Sequence, residues 1–268
     1  MNPPIAVNTL PERNAQLAWL TPDWPSPDTV RALSTLRTGG ASGPPYASLN
    51  LGGHVGDDAT VVEGNRRALR DAVRLPAEPV WLEQVHGACV RDLDSQGPSG
   101  PADAAVTRQS GKVCAILTAD CLPVLLAGEH GDRVGAAHAG WRGLAAGVIE
   151  ATVAALGGPP RQLLAWLGPA IGPRHFEVGA EVREEFLRRA GAGDAAADEA
   201  AFVPNARGRY MADLYALTRR RLRSLGVERI YGGGECTYTD DARYFSHRRE
   251  GRTGRQATLI WLETLPHR

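Results

Sequence analysis

The segment AILTADCLPVLLAG, residues 115–128, decides the fold prediction because two aliphatic runs in it are interrupted by one polar pair. Each run has the length and composition of a buried strand. The interruption is Asp120 and Cys121, a carboxylate next to a thiol. Rigid strands often present functional side chains where they run into loops, so this pair is the first candidate for chemistry.

Similar strand patterns lie on both sides of this segment, with few helices between them. The strand patterns cover residues 30–37, 79–87, 89–93, 102–107, 113–119, 122–128, 133–138, 163–167 and 257–262. The helix patterns cover residues 59–75, 141–157, 178–189 and 211–227. Strands grouped as hairpins between few helices favour an α+β fold over a regular doubly wound sheet. No repeat or linker divides the chain, so we predict a single domain spanning residues 1–268.

The composition limits the classes of function. Thirty basic and thirty acidic residues give a formal net charge of zero, which argues against long-range attraction to nucleic acid or anionic lipid. The N-terminal residues lack a signal-peptide pattern, and no run reaches the roughly 20 apolar residues of a membrane span. We therefore predict a cytoplasmic protein that binds neither nucleic acid nor membrane. The sequence leaves the oligomeric state open.

Three residues with metal-binding side chains end strand patterns: His86, Cys121 and His138. Two imidazoles and a thiolate form a ligand set for catalytic zinc with one open position. Their long spacings do not predict a metal by themselves. Two other interpretations stay open. The histidines bond to backbone carbonyls while Cys121 packs, or Cys121 is a nucleophile with His138 as its base and Asp120 orienting a histidine or the substrate.

Two glycine-containing segments carry arginines that suit an anion. Arg142 lies in AGWRGLAAG at a predicted helix start, where N–H groups and the helix dipole favour negative charge. The segment FSHRREGRTGR, residues 245–255, contains Arg248, Arg249, Arg252 and Arg255. Arginine binds phosphate or carboxylate through two parallel hydrogen bonds. A closely packed helix start and arginines that face water would explain the same residues.

These motifs together resemble the laccase-domain or polyphenol-oxidoreductase family, also described as purine nucleoside phosphorylase/adenosine deaminase and, for one bacterial branch, as peptidoglycan editing factor. The resemblance covers nearly the whole chain, in order, through STLRTGGASGPPYASLNLGGHVGDD, QVHG, ADAAVT, TADCLPVLL, AAHAGWRGLAAGV, LGPAIGP, ECTY and FSHRREGRTGRQA. Any one motif is weak, whereas so many with matching flanks argue against an accidental similarity.

The resemblance implies a single-domain layered α/β/β/α sandwich with mixed sheets and a metal pocket, usually described as zinc. The implied ligands are His86, Cys121 and His138, the same three residues that end strand patterns. With Cys121 as a thiolate ligand, we expect Asp120 to support the metal site or to transfer a proton. Cys121, Asp120 and His138 are therefore the predicted catalytic residues.

The resemblance also implies residues near the substrate. Arg37 of STLRTGG, Asn50 of SLNLG and Arg142 of GWRG are expected close to the metal pocket. Arg248 joins them as a candidate for a phosphate group. These four residues form the predicted substrate-binding set.

Copper oxidation of phenols is disfavoured although the family name suggests it. Multicopper centres use many histidines, commonly in His-x-His pairs, whereas this chain has seven histidines and no such pair. A lone blue-copper site often adds an axial methionine, and the only internal methionine is Met211, in a predicted helix start. Zinc is therefore the expected cofactor, and copper the less favoured one.

Three functions remain. The resemblance favours a zinc enzyme that cleaves adenosine, inosine, guanosine and S-methyl-5′-thioadenosine with phosphate and deaminates adenosine, with Asp120 as proton carrier. The alternative is an amidase that removes a misincorporated L-serine from UDP-muramoyl peptidoglycan precursors. A non-catalytic zinc module would need a fourth protein ligand, which Cys236 could supply.

Overall fold

The computed structural model describes residues 7–9, 17–95, 100–189 and 198–264. Its strands are β1 (Val7–Thr9), β2 (Ala18–Leu20), β3 (Val30–Thr35), β4 (Val80–Trp81), β5 (Val90–Asp92), β6 (Ala104–Thr107), β7 (Val113–Thr118), β8 (Leu122–Gly128), β9 (Val134–Ala139), β10 (Leu163–Leu167), β11 (Glu177–Val178), β12 (Phe202–Pro204), β13 (Tyr210–Ala212), β14 (Arg229–Gly232) and β15 (Gln256–Leu262). Its helices are α1 (Ala59–Val73), α2 (Trp141–Ala146), α3 (Val148–Leu156), α4 (Ala180–Arg189), α5 (Leu214–Ser224) and α6 (His247–Glu250), with a 3₁₀ turn at Pro160–Gln162.

Two six-stranded sheets and one three-stranded sheet form in this part of the chain. The first sheet has the order β1-β2-β3-β15-β7-β4, the second β14-β10-β8-β9-β6-β5, and the third β11-β13-β12. Neighbours pair antiparallel except β4 with β7, β5 with β6 and β10 with β14. The mixed pairing confirms the predicted α+β class.

The two large sheets pack face to face through one apolar cluster. It combines Val30, Cys114, Ile116, Ile260 and Leu262 of the first sheet with Ala105, Leu125, Ala127, Val134, Ala136 and Trp166 of the second. Strands buried on both faces read as continuous apolar runs, which explains the uninterrupted pattern of β7 and β8.

Helices cover the two outer faces. Helix α1 begins where the Asp58 side chain accepts hydrogen bonds from the N–H groups of Thr60 and Val61, as its sequence predicts. Its Leu69 packs on the first sheet against Leu33 and Leu259. Helices α2 to α5 cover the second sheet through Leu144, Val148, Ile149, Val182, Phe186, Leu214, Leu217 and Leu222. The layers therefore follow the order α/β/β/α.

The segment 115–128 carries the chain from one large sheet to the other. Strand β7 lies in the first sheet and β8 in the second, and only Ala119, Asp120 and Cys121 connect them. Asp120 adopts φ 89°, a left-handed conformation that is uncommon for residues other than glycine and turns the chain sharply. Pro123 pairs with His138 of β9. The crossing thus brings Cys121 close to His138.

Several element boundaries differ from the sequence predictions. Strand β4 ends at Trp81, so His86 lies in a loop and does not end a strand. The helix predicted at 141–157 is divided into α2 and α3 by Gly147, whose φ is 94°. The helix start predicted at Met211 is wrong, because residues 210–212 pair with both β11 and β12. Long-range strand pairing overrides local propensity at this position.

The arginine run 219–223 of α5 also departs from its predicted solvent-facing role. Arg221 is buried, and its Nη1 lies 3.5 Å from Oε1 of Glu150 on α3. Helix packing therefore places one of these cations inside the helical layer. Within the described residues, no helix has the length and apolar character to cross a membrane.

Candidate metal centre

The crossing between the sheets brings three ligand side chains into one cluster. Ligand atoms of His86, Cys121 and His138 all lie within 4.8 Å of one another. His86 is exposed, Cys121 is partly buried and His138 is buried. Two imidazoles and a thiol at such distances fit a zinc ion with one coordination position left for another ligand. This cluster could hold a metal.

The glycines around the cluster leave room for its ligands. A Cβ added at Gly140 would lie 2.7 Å from Sγ of Cys121, closer than side chains pack. A Cβ added at Gly143 would lie 2.9 Å from the carbonyl oxygen of Gly87, next to His86. The glycines of AGWRG are therefore required by the close approach of α2 to the ligand loops, which agrees with the packing interpretation of this motif.

The ionisation of the cluster favours metal binding. Burial would raise the pKa of Cys121, but His138 and His86 outweigh it and lower the pKa to about 6. Burial would lower the pKa of His138, whereas Cys121 and Asp103 raise it to about 9. Cys121 is therefore a thiolate at neutral pH, the form that binds metals. Metal binding would displace a proton from His138.

A buried carboxylate contacts the ligand histidines, and it is Asp103. Its Oδ1 lies 2.9 Å from Nδ1 of His138 and accepts a 2.8 Å hydrogen bond from the His86 N–H. Burial would raise the pKa of Asp103, but hydrogen bonds from His138 and Gly87 hold it below the usual value. Because the carboxylate is the acceptor, Nδ1 of His138 carries the proton, and its Nε2 is available as a ligand atom.

Asp120 has a different environment. Its Oδ1 accepts a 2.6 Å hydrogen bond from Oγ1 of Thr237, and its Oδ2 accepts one of 2.6 Å from the Arg248 N–H. Asp120 therefore attaches two distant loops to the sheet crossing. The interpretation in which Asp120 orients a histidine is wrong, because Asp103 makes that contact among the described residues. Sequence proximity to Cys121 favoured the wrong carboxylate.

Arg37 and Asn50, two predicted substrate residues, hold loops in this structure. Arg37 Nη1 donates to Oε1 of Glu250 at 2.6 Å. The buried Asn50 amide donates to Gly52 O and Asp57 Oδ2 and accepts from the N–H groups of Gly52 and Arg255. Direct contact of either side chain with a substrate stays a prediction.

Arg142 and Arg248, the other two predicted substrate residues, are exposed. The Arg142 guanidinium carbon lies 4.4 Å from the centre of the Trp141 ring at the start of α2, with no ion pair among the described residues. Arg248 Nη1 donates to the carbonyl oxygen of Glu177 at 2.9 Å. Both cations retain donors that an anion could use.

Two further residues lie close enough to interact electrostatically with the cluster. Burial lowers the pKa of Arg255, whereas Cys121 and Asp120 raise it, so this cation faces the sheet crossing. Partial burial lowers the pKa of His54, and Arg255 lowers it further. Sequence reasoning grouped Arg255 with its loop and did not consider His54 or Asp103. The signals were a histidine in a long glycine-rich loop and an Asp immediately before a buried strand.

Cys236 lies outside the cluster of three. Its thiol accepts hydrogen bonds from the Gly172 N–H at 3.2 Å and from Oγ1 of Thr239 at 3.3 Å. It lines a separate cavity of about 230 Å³. In the part of the chain that the structure describes, no fourth His, Cys, Asp or Glu joins His86, Cys121 and His138. The proposal of a closed structural zinc site through Cys236 is therefore not supported.

Comparisons with known proteins agree with the predicted resemblance. The family model described as multi-copper polyphenol oxidoreductase laccase matches residues 31–263. A purine nucleoside phosphorylase of Pseudomonas aeruginosa is 56% identical over 251 residues, which cover 92% of this chain and 99% of the relative. The purine nucleoside phosphorylase YfiH of Escherichia coli is 54% identical over 244 residues, 91% of this chain and 98% of the relative.

Solved structures share the fold. A Neisseria meningitidis protein of the DUF152 family superposes with a TM-score of 0.85 at 45% identity, covering 92% of this chain and 99% of the other. YlmD from Geobacillus stearothermophilus superposes with a TM-score of 0.84 at 32% identity, covering 96% and 99%. The similarity extends over nearly the full length of all four proteins.

Proposed function

This chain belongs to the family described as multi-copper polyphenol oxidoreductase laccase, and we propose that it is a zinc-dependent purine nucleoside phosphorylase. The observation that carries the proposal is the cluster of His86, Cys121 and His138. Relatives at 54–56% identity that bear the name purine nucleoside phosphorylase support the reaction class. A small-molecule substrate agrees with the neutral net charge.

Zinc is the metal that this donor set suits best. Two imidazoles, one thiolate and an open position are typical of catalytic zinc. Zinc held there would supply a Lewis acid that polarises an oxygen atom of a bound reactant. The family description names copper, but a multi-copper centre needs more histidines than the two that this cluster contains.

Phosphorolysis requires a cationic site for phosphate. A phosphate oxygen forms a bond to C1′ of the ribose while the C1′–N9 bond breaks, and the electron pair leaves with the purine. Ribose 1-phosphate and the free base are the products. Arg255, which faces Cys121 and Asp120, is the cation placed to hold the phosphate. Its Nη1 donates only to the carbonyl oxygens of Thr253 and Gly254, each at 3.0 Å, so other guanidinium donors remain for an anion.

The substrate range that we propose is adenosine, inosine, guanosine and S-methyl-5′-thioadenosine. Arg142 and Arg248 carry exposed guanidinium groups that would contact phosphate or ribose. Adenosine deamination is the second reaction that the resemblance implies. It would require Asp120 to exchange a proton, and therefore to release one of its hydrogen bonds to Thr237 and Arg248.

The amidase acting on a muropeptide stays the alternative. It would use the same cluster, but neither relative reported above bears an amidase name. A cytoplasmic location also stays a prediction of the sequence. Substrate tests decide between the two reactions, because their products differ.

The test combines metal content with phosphate-dependent turnover. Wild type is expected to contain about one zinc per chain and to release hypoxanthine from inosine only when phosphate is present. Cys121→Ala should lose both, whereas Cys89→Ala, at an exposed cysteine outside the cluster, should keep both. Wild type that contains zinc but releases serine from a UDP-muramoyl-serine precursor, and no base from nucleosides, would replace this proposal by the amidase.

A further inference from the structure

We infer that Asp103 is the positioning residue for both ligand histidines, and that it controls metal affinity and coordination geometry without contacting substrate. The inference rests on the proposed metal site. It differs from the sequence-based interpretation, which gave the supporting carboxylate role to Asp120. The argument uses the contacts of Asp103 with His138, its contacts with the His86 loop, and its burial.

The contact with His138 fixes the imidazole at two points. Asp103 immediately precedes β6, which pairs antiparallel with β9, so it lies opposite His138. The His138 N–H donates to the Asp103 carbonyl oxygen at 2.7 Å, and the His138 ring donates from Nδ1 to Asp103 Oδ1 at 2.9 Å. One residue therefore holds both the backbone and the ring of this ligand. The ring can present only Nε2 to a metal.

The contact with the other ligand runs through the backbone. Successive N–H groups of Val85, His86 and Gly87 all point to the Asp103 carboxylate, at 3.2, 2.8 and 2.7 Å. His86 has φ 62°, a left-handed conformation that costs an ordinary residue about 1 kcal/mol or more. The carboxylate stabilises this strained turn, because the turn aims three donors at one anion. The direction of the His86 side chain thus depends on Asp103.

Burial separates this role from substrate binding. Asp103 has no exposed surface, and its only ion-pair partner among the described residues is His138. A buried carboxylate without Lys or Arg is stabilised by the donors around it. Asp103 therefore acts through the two histidines, with both oxygen atoms occupied.

Asparagine at this position tests the inference with little change in size. The four hydrogen bonds to the carboxylate come from three backbone N–H groups and the Nδ1–H of His138. An amide offers one oxygen, and its NH₂ group would face N–H donors that cannot become acceptors. Asp103→Asn should therefore release the turn at His86 or the ring of His138.

A matched control lies at the other end of β6. Asp94 accepts hydrogen bonds from Oγ1 of Thr107 at 2.6 Å and from the Arg108 N–H at 2.7 Å, and it does not contact the cluster. Asp94→Asn removes a carboxylate from the same strand and the same sheet. It controls for a general loss of stability.

The experiment measures zinc affinity by chelator competition and records the visible absorption spectrum of the Co²⁺-loaded protein. Asp103→Asn is expected to bind zinc about 10- to 100-fold more weakly than wild type, with a changed cobalt spectrum. Asp94→Asn should bind zinc within about twofold of wild type, with an unchanged spectrum.

Each other outcome contradicts a specific statement. Wild type that binds zinc, with Asp103→Asn equal to it in affinity and cobalt spectrum, overturns the positioning role and leaves the proposed function intact. An equal loss of affinity in Asp94→Asn overturns it as well, because the effect would be general. Wild type that takes up no metal overturns the zinc enzyme and this inference together. Unfolding of Asp103→Asn is answered by Asp103→Glu, which keeps the charge and should recover part of the zinc affinity.

Discussion

The two buried carboxylates beside the metal cluster, Asp103 and Asp120, have opposite kinds of partner. Asp103 accepts from backbone N–H groups and a ligand imidazole, all of them donors that cannot reverse. Asp120 accepts from one N–H and one hydroxyl. A hydroxyl can donate or accept, so the Asp120 environment tolerates an amide better. The comparison teaches that the identity of the donors, and not distance along the chain from a ligand, indicates which carboxylate supports the metal.

Removing the ligand on the Asp103 side should have the largest effect. His138→Ala deletes a metal ligand and one donor to Asp103, and it opens a cavity between β9 and β6. We expect no measurable zinc binding and a loss of about 2 kcal/mol in the free energy of unfolding of the metal-free protein. Urea denaturation with chelator present measures the second quantity. His130→Ala, at an exposed histidine, is the control, and equal stability of the two variants would contradict the coupling of His138 to Asp103.

A carboxylate outside the site should affect stability alone, in a pH-dependent way. Burial would raise the pKa of Asp94, but Thr107, Arg108 and Lys112 hold it below its usual value. The stabilisation is therefore fully present above the unfolded-state pKa of about 3.9 and disappears as pH falls through the lower folded-state pKa. Asp94→Asn should be less stable than wild type by about 1.5 kcal/mol at pH 7.

Urea titrations of wild type and Asp94→Asn from pH 7 down to pH 3 provide the measurement. The stability difference should stay constant down to about pH 5 and then shrink. A difference that grows on acidification would show that the carboxylate is not stabilised by its three partners.

The smallest effect is expected on the Asp120 side. In Asp120→Asn the amide oxygen can still accept from the Arg248 N–H, while the NH₂ group donates to the reversed hydroxyl of Thr237. We expect a loss of about 1 kcal/mol in unfolding free energy and zinc affinity within about threefold of wild type. Asp120→Asn and Asp103→Asn measured side by side give the sharpest comparison. Equal losses of zinc affinity would mean that Asp120 supports the ligands after all.

The sequence predicted most of the architecture because buried strands have a local signature. The aliphatic runs in residues 115–128 became β7 and β8, and the Asp58 cap correctly placed the start of α1. Its errors lie where the tertiary structure outweighs local propensity. Residues 210–212 form a strand because β11 and β12 pair with them, and Arg221 is buried because α5 packs on α3.

The candidate site divides in the same way. His86, Cys121 and His138 could be selected from the sequence, because few side chains bind metals and the motifs around these three resemble a known family. Asp103 and Arg255 could not be assigned roles by that route. Neither belongs to a local pattern that indicates the direction of its side chain.

The sequence by itself determined the alternation of strands and helices, the three metal-binding residues and the position of Asp120 beside Cys121. Only the tertiary structure decided which carboxylate contacts a ligand. Asp103 is 35 residues from His138, and Asp120 is 117 residues from Thr237 and 128 from Arg248. Contacts over such separations depend on the register of β6 with β9 and on the crossing between the sheets. A hydrogen bond requires two groups within about 3 Å, a condition that chain folding sets and residue order does not.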